Sequence, residues 1–549
     1  MRTPSALHVR PGFGAAVAPI GVLTLLALAL RLPMLGNSLF GDELSTYSIV
    51  TGHSPGQILH ILNGHSVDLT PPLFFELAWL TSRLGRTPEL LRLAPFLAGV
   101  CAVPLTYRLG LRTVGRRAAV AGALLLALSP FMIFYSTEAR AYAVVTALLL
   151  GSTLALLRAL DDGRPSWWVT YAALSCAAMY CHYTAIFILA VQAVWALITQ
   201  RDRLPALLAS NLAAAVVFAP WLPVLIKNRH SFGAAVFNII DPFGPRTVAN
   251  DVAHWAVGHP FLTLHQEPGV LALVLIAVGG AVAGVSVVFT AGRGRRRRLP
   301  SSRALLPWLL GLATPVGLAA YSSVGQSAWD GRNLISSWPG AALAAGALLT
   351  SPRAPLRLLT VGAVVVGFAI GAVQLLSPAD QRPDYAAAAA LIQTNGSPQD
   401  PVAVIPAPTP GPYTAMDAAL AYAGQPGRPL LRIASAQLPQ VLAAPPYAFL
   451  PETPASRLAA MTEAQRGSGK VFVVVPGTAT EPQLLRSGVI DAPLVLGPLF
   501  GTGTPGRLYS TVFVPLSAYL RALAPRYRLV STRRLNGVLP LSVYVLTAR

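Results

Sequence analysis

Charge is what this chain has least of. Asp, Glu, Lys and Arg make up 11% of its 549 residues, against roughly 25% in soluble globular domains, which excludes an ordinary soluble protein. Acid is the scarcer sign, with 21 Asp and Glu against 41 Lys and Arg and a formal net charge of +20. A nucleic-acid partner is not expected from that excess, because many of the arginines fall in short clusters between apolar runs, the pattern that orients membrane helices. Cysteine is reduced to Cys101, Cys176 and Cys181, all in or beside apolar stretches, so there is no sign of a disulfide framework or a cysteine metal site. No phosphate-loop or dinucleotide motif is present, no internal repeat, and no clear small-residue cleavage site after the first apolar segment, Phe13 to Leu30. That segment is therefore expected to remain as an uncleaved span.

What the chain has instead is apolar length, with 54% hydrophobic residues. Apolar windows of about 20 residues are long enough to cross a bilayer. They fall near 13 to 33, 90 to 109, 117 to 135, 140 to 158, 166 to 181, 183 to 199, 204 to 226, 269 to 290, 304 to 324, 334 to 350 and 357 to 376. The expected fold is a polytopic α-helical membrane protein of about 11 transmembrane helices. The short run Pro71 to Leu80 carries Glu76 and opens on a proline pair, which suits an interfacial helix in the first outer loop. With the N-terminus in the cytoplasm, the loops at 110 to 116, 159 to 165, 200 to 203, 291 to 303 and 351 to 356 face inward and hold the densest basic cluster, Arg293 and Arg295 to Arg298, as the positive-inside rule requires. Most acids of the membrane part then lie on the outer side.

Beyond Leu376 the composition changes. Proline, glycine and polar residues interrupt strand-like runs at Val402 to Ile405, Val471 to Val475 and Leu541 to Leu546, which reads as a soluble α/β domain. The expected organisation is a transmembrane catalytic domain over 1–376 and an extracytoplasmic domain over 377–549. The latter holds no His and no Cys, favouring a capping or binding role, so truncation after about residue 376 is expected to alter acceptor use more than donor binding.

Chemistry-bearing residues gather at the expected outer loop ends. Gly41-Asp42-Glu43 places two carboxylates behind the first apolar segment, and Tyr135-Ser136-Thr137-Glu138-Ala139-Arg140-Ala141-Tyr142 follows another. Ionisable groups beside a membrane are costly to keep dry, so such clusters point to work rather than packing. If both emerge on one side they can build one site. Asp68-Leu69-Thr70-Pro71-Pro72-Leu73, Leu91-Arg92-Leu93-Ala94-Pro95, Ser129-Pro130, His182-Tyr183 and Gly331-Arg332-Asn333-Leu334 complete the series. In this order over about 1 to 376, these fragments resemble the GT-C glycosyltransferases, in particular the family of protein mannosyltransferases and aminoarabinose transferases.

The resemblance implies an inverting transfer of a sugar from a polyprenyl-phosphate donor to a lipid, glycan or protein acceptor outside the cytoplasm, with mannose the first expectation and arabinose or another pentose the second. It implies Asp42 as the general base and Glu43 as its orienter or a ligand of sugar hydroxyls. The plain alternative is that Asp42 N-caps a helix with Glu43 in its first turn. Glu138, Arg140 and Tyr142 are substrate-binding candidates. Arg140 either holds the departing phosphate or pairs with Glu138 or another acid. Arg332 either meets the lipid phosphate or anchors at the interface, and His182 either binds substrate or bonds a neighbouring helix. His65 and Asp68 line the pocket on this reading, although Thr70 stands where the family often has a basic or His residue before the two prolines. A divalent metal on His53, His60, His65, Asp42 and Asp68 is left open, but their spacing matches no compact motif, and no metal ligand is assigned. The competing classes are a transporter or lipid flippase, which would place charges near the midplane of related halves, and a non-catalytic cell-envelope scaffold, in which Asp42 would be dispensable.

Overall fold

The structure, a computed structural model, describes residues 13–64, 68–228, 243–291, 301–404, 413–432, 455–464, 467–476 and 519–549. His65 and the arginine cluster at 293–298 lie outside them. Every apolar window contains helix. The first long ones are α1 (Phe13–Arg31), α6 (Leu93–Thr113), α7 (Arg116–Leu128) with α8 (Pro130–Ser136), α9 (Tyr142–Asp162), α10 (Pro165–Cys181) and α11 (Ala185–Thr199). Later helices span Leu204–Phe218, Val270–Ala291, Ser302–Val324, Trp338–Leu349 and Ala354–Gln374. Between α1 and α6 the chain forms α2 (Glu43–Val50), α3 (Pro55–Asn63), α4 (Pro72–Ser82) and the single turn α5 (Pro88–Leu91). The run at 71–80 is thus α4, begun by Pro72 at its first turn, where the missing N–H costs nothing.

The expected count of eleven spans is not matched by helix length and composition alone. Among the described residues six helices are long and apolar enough to cross a membrane, or seven if one bent pair is a single span. The shortfall has local causes. The window at 117–135 breaks between α7 and α8 with a bend of 60°: Pro130 pushes the preceding Ser129 out of helical geometry, and the Ser129 hydroxyl accepts from the Met132 N–H at 3.2 Å to start α8. The window at 183–199 yields only the 15 residues of α11. That at 334–350 opens as a 3₁₀ turn, Gly331–Ser337, leaving 12 residues of α-helix.

The helix α9 is the most enclosed of the long apolar ones, with 72% of its apolar window buried. Close backbone approach between α7 and the helix Trp338–Leu349 depends on glycine. A β-carbon on Gly346 would lie 2.5 Å from the Ala118 carbonyl, and one on Gly122 would lie 2.9 Å from the Leu343 Cα, so any larger residue would force these helices apart.

Beyond Gln374 a five-stranded mixed sheet forms from β1 (Val402–Val404), β2 (Leu430–Arg432), β3 (Lys470–Pro476), β4 (Tyr527–Leu535) and β5 (Leu541–Ala548), in the order β2-β1-β3-β5-β4. The β2-β1-β3 part is parallel and β5 runs antiparallel to both β3 and β4. The three runs read as strands in the sequence are β1, β3 and β5. This region is tied to the first loop of the helical part. The Ala386 N–H donates to the Ser38 hydroxyl at 2.8 Å, and Tyr422 packs edge-on against Tyr47 of α2 at 5.7 Å.

Candidate active site

Gly41 has φ +62, the left-handed region a β-carbon disfavours, and this turn lets α2 begin at Glu43. The Glu43 side chain is fully buried and surrounded by donors. Its Oε1 accepts from Arg92 Nε at 2.6 Å and from the Ala139 N–H at 2.8 Å. Its Oε2 accepts from Arg92 Nη2 at 2.6 Å and the Phe40 N–H at 3.2 Å, and lies 3.3 Å from Arg382 Nε. Arg92, also fully buried, donates in addition to the carbonyls of Leu35 at 2.7 Å and Ser38 at 3.0 Å, so it staples the whole turn after α1. Burial pushes the Glu43 carboxyl upward, but Arg92 and Arg382 outweigh it and hold the group below the usual carboxylate range. The backbone bond to Ala139 joins the two charged clusters of the sequence directly.

Asp42 occupies the N-cap position of α2 without making a side-chain capping bond. Its carboxylate turns away to pair with Arg332 Nη1, and with 28% of its side chain exposed it is the accessible member of the carboxylate pair. Arg332 also pairs through Nε with Asp330 at 2.7 Å. Asp330 starts the 3₁₀ turn Gly331–Ser337 by accepting from the Arg332 N–H at 3.0 Å. The base candidate and the phosphate-binding candidate, far apart in sequence, are therefore in direct contact.

Asp68 is buried. It accepts from the Ser45 hydroxyl at 2.9 Å and the Thr70 N–H at 3.0 Å, and pairs with Arg140. Burial pushes its carboxyl up, yet Arg140 and the Thr70 bonds pull it down to about 2. Of the two readings of Arg140, pairing with an acid is the one observed, and the acid is Asp68. Glu138 is buried too, but its Oε2 has no hydrogen-bond partner among the described residues. Burial raises its carboxyl to about 7, with Arg382 working against the rise and the charges of Glu43 and Asp42 adding to it. His182 Nδ1 is 2.8 Å from the Thr184 hydroxyl, and burial lowers its pKa to about 4, so the ring is neutral at physiological pH. Tyr142 packs between Tyr135 at 5.2 Å and His182 at 5.5 Å. Asp42, Glu43, Glu138 and Arg332 thus share one loop end, with the Asp68–Arg140 pair, Tyr142 and His182 beside them.

Residues 70–226 match the sequence model of the dolichyl-phosphate-mannose-protein mannosyltransferase family. No curated protein matches the chain. Among solved structures, apo ArnT from Cupriavidus metallidurans superposes with a TM-score of 0.50 at 14% identity, covering 97% of this chain and 98% of that one. The same protein bound to undecaprenyl phosphate gives 0.50 at 13% identity with the same coverage. The oligosaccharyltransferase AglB from Archaeoglobus fulgidus, in complex with an inhibitory peptide and a dolichol-phosphate, gives 0.50 at 11%, covering 95% and 80%. The chain has the fold of the GT-C glycosyltransferases.

Within this GT-C fold, sequence reasoning overlooked three participants. Arg92 stood in a quoted fragment but gave no sign of its partner, because Glu43 lies 49 residues away. Asp330 was readable as an N-cap one residue ahead of Gly331-Arg332. Arg382 follows the last long apolar helix in a segment assigned to another domain, and no local signal links it to Glu43. Among the described residues no group of three or more His, Cys, Asp or Glu is placed to hold a metal ion, and Asp42 and Asp68 are each engaged by an arginine.

Proposed function

We propose that the protein is an integral-membrane glycosyltransferase that moves a sugar from a polyprenyl-phosphate donor to a lipid, glycan or protein acceptor on the extracytoplasmic side. The observation that carries this reading is the contact between the partly exposed Asp42 carboxylate and Arg332 at the shared loop end of a GT-C fold. An acid and a cation held together there are the two groups an inverting transfer from a phosphate needs. The acceptor hydroxyl attacks the anomeric carbon, its proton passes to Asp42, and the carbon–oxygen bond to the phosphate breaks with its electrons leaving on the lipid phosphate, which Arg332 neutralises.

Attack and departure occur on opposite faces of the anomeric carbon, so base and phosphate must be separated by the sugar. In the resting structure Asp42 and Arg332 touch. Donor binding therefore opens this pair: the phosphate replaces the carboxylate on Arg332, and Asp42 turns to the acceptor. Glu43, with its oxygens already engaged, positions Asp42 and does not meet substrate. The description of the family matched at 70–226 and the undecaprenyl phosphate bound by the Cupriavidus protein support this donor class, with mannose the first choice of sugar and arabinose the second. The division at 376 into a catalytic membrane part and an outer α/β part belongs to the same proposal, as does a cytoplasmic N-terminus.

The test is transfer of radiolabelled sugar from a panel of polyprenyl-phosphate donors to a membrane-extract acceptor pool, comparing purified wild type with Asp42→Asn. Product from the wild type alone supports the proposal. Absence of product with every donor, from a folded protein, sinks it.

A further inference from the structure

Arg382 is 4% exposed. Its guanidinium lies over the Phe134 ring at 4.3 Å, and Nε reaches Glu43 at 3.3 Å. Its two terminal nitrogens, Nη1 and Nη2, have no hydrogen-bond partner among the described residues. Glu138, 6% exposed, adjoins the same carboxylate from the other side, since the N–H of the next residue, Ala139, donates to Glu43 Oε1 at 2.8 Å, and its Oε2 is likewise without a partner among the described residues. The two do not pair with each other. Buried polar groups left in this state are costly and mark a place where a further group is received.

The chemistry of the two side chains restricts that group. A guanidinium only donates, while a carboxyl accepts when ionised and both donates and accepts when it holds its proton. A phosphate between them would suit Arg382 and be repelled by the ionised Glu138, while an ammonium would suit Glu138 and be repelled by Arg382. A hydroxyl accepts from Arg382 and, able to donate or accept, meets Glu138 in either state. Asp42, which pairs with Arg332, directly precedes Glu43, whose two oxygens meet Arg382 and the Ala139 N–H beside Glu138, so this place adjoins the pair at which the donor phosphate is read to bind, and the group joined to that phosphate is the sugar.

We propose that Arg382 and Glu138 form a subsite for a hydroxyl of the donor's glycosyl group, selecting a neutral sugar over an amino sugar at that position, with Arg382 supplied by the chain beyond the last membrane helix. The inference rests on the donor reading above. It makes Arg382 a specificity-determining residue, and it gives the outer region a direct part in donor recognition.

The experiment uses the purified full chain and compares equilibrium binding of bare undecaprenyl phosphate with that of undecaprenyl-phosphate mannose and undecaprenyl-phosphate arabinose. In the wild type at least one glycosylated lipid should bind about tenfold more tightly than the bare lipid, the effect of one hydrogen bond to a charged group, and an amino-sugar donor should gain nothing. Arg382→Gln and Glu138→Gln should each erase the glycosyl gain and leave bare-lipid binding within a few-fold. Glu138→Gln is the safer variant, because no bond to its carboxylate from the described residues is lost. A glycosyl gain intact in both variants overturns the inference, as does equal weakening of both ligands, which would mark a purely structural role. A gain intact while transfer is lost assigns the hydroxyl to the acceptor and overturns it as well. If the wild type binds no lipid phosphate at all, the proposed function fails together with this inference.

Discussion

Glu43→Gln is the perturbation that best separates positioning from chemistry at this site. The amide keeps the shape of the carboxylate but can accept at only one of its two ends. With its NH₂ group at the Oε1 position, Arg92 Nε and the Ala139 N–H lose their acceptor; at the Oε2 position, Arg92 Nη2 and the Phe40 N–H lose theirs and Arg382 meets a donor. Either way the buried Arg92 and Arg382 charges lose their counter-ion. Removing one partner of a buried ion pair costs about 3–5 kcal/mol, which is about two to three and a half powers of ten in the folded-to-unfolded ratio at about 1.4 kcal/mol per decade. The assay is SDS titration of the detergent-purified protein followed by circular dichroism, with the transfer assay run on the folded fraction. Transfer per folded molecule should fall far less than in Asp42→Asn. Unchanged stability with abolished transfer would refute the reasoning, because it would place Glu43 in contact with substrate.

Asp42→Asn should abolish transfer and at the same time tighten undecaprenyl phosphate, because Arg332 is released; a partly exposed ion pair is worth about 1 kcal/mol or less, so the gain in Kd should not exceed about fivefold. Weaker lipid binding in this variant would count against the exchange of carboxylate for phosphate. Glu138, facing Arg382, Glu43, Asp42 and Arg332, is raised by burial from 4.5 to about 7. The native state therefore holds a proton that the unfolded chain releases, so stability is fully present below about pH 4.5 and falls by about 3 kcal/mol as pH rises through about 7. Glu138→Gln should remove that slope from SDS titrations run at a series of pH values, and a slope unchanged in the variant would show that another group titrates. Truncation after Leu376 should reduce donor binding together with acceptor use, since it removes Arg382 from Glu43 and the Ala386 bond from Ser38; retained donor binding by a folded truncation would restore the sequence-based expectation.

The helical windows and the clustering of charge at loop ends were legible because apolar length and polar interruption are local properties. The number of spanning helices was not, since an apolar run such as 117–135 conceals the break that Ser129-Pro130 introduces. His182 read as easily for structure as for binding, and its bond to Thr184 two residues on is a local contact. Arg140 and Arg332 showed as charges of interest, but their partners, Asp68 and Asp42, are set by tertiary approach and not by spacing. Arg382 lay furthest out of reach. It looked like one more arginine in a separate domain, and only folding brings it onto Phe134 and Glu43.

The arrangement around Glu43 also bears on biosynthesis. A chain made from its N-terminus presents Glu43 early and Arg92 soon after, while Arg382 emerges roughly 340 residues after Glu43, on the order of tens of seconds later at ordinary translation rates. Until then the Glu43 carboxylate meets one guanidinium instead of two, and the face of Phe134 lacks the Arg382 that later lies over it. The newborn chain thus has its long apolar helices made while the charge cluster around Glu43 still lacks its last member, which the final third of the sequence supplies.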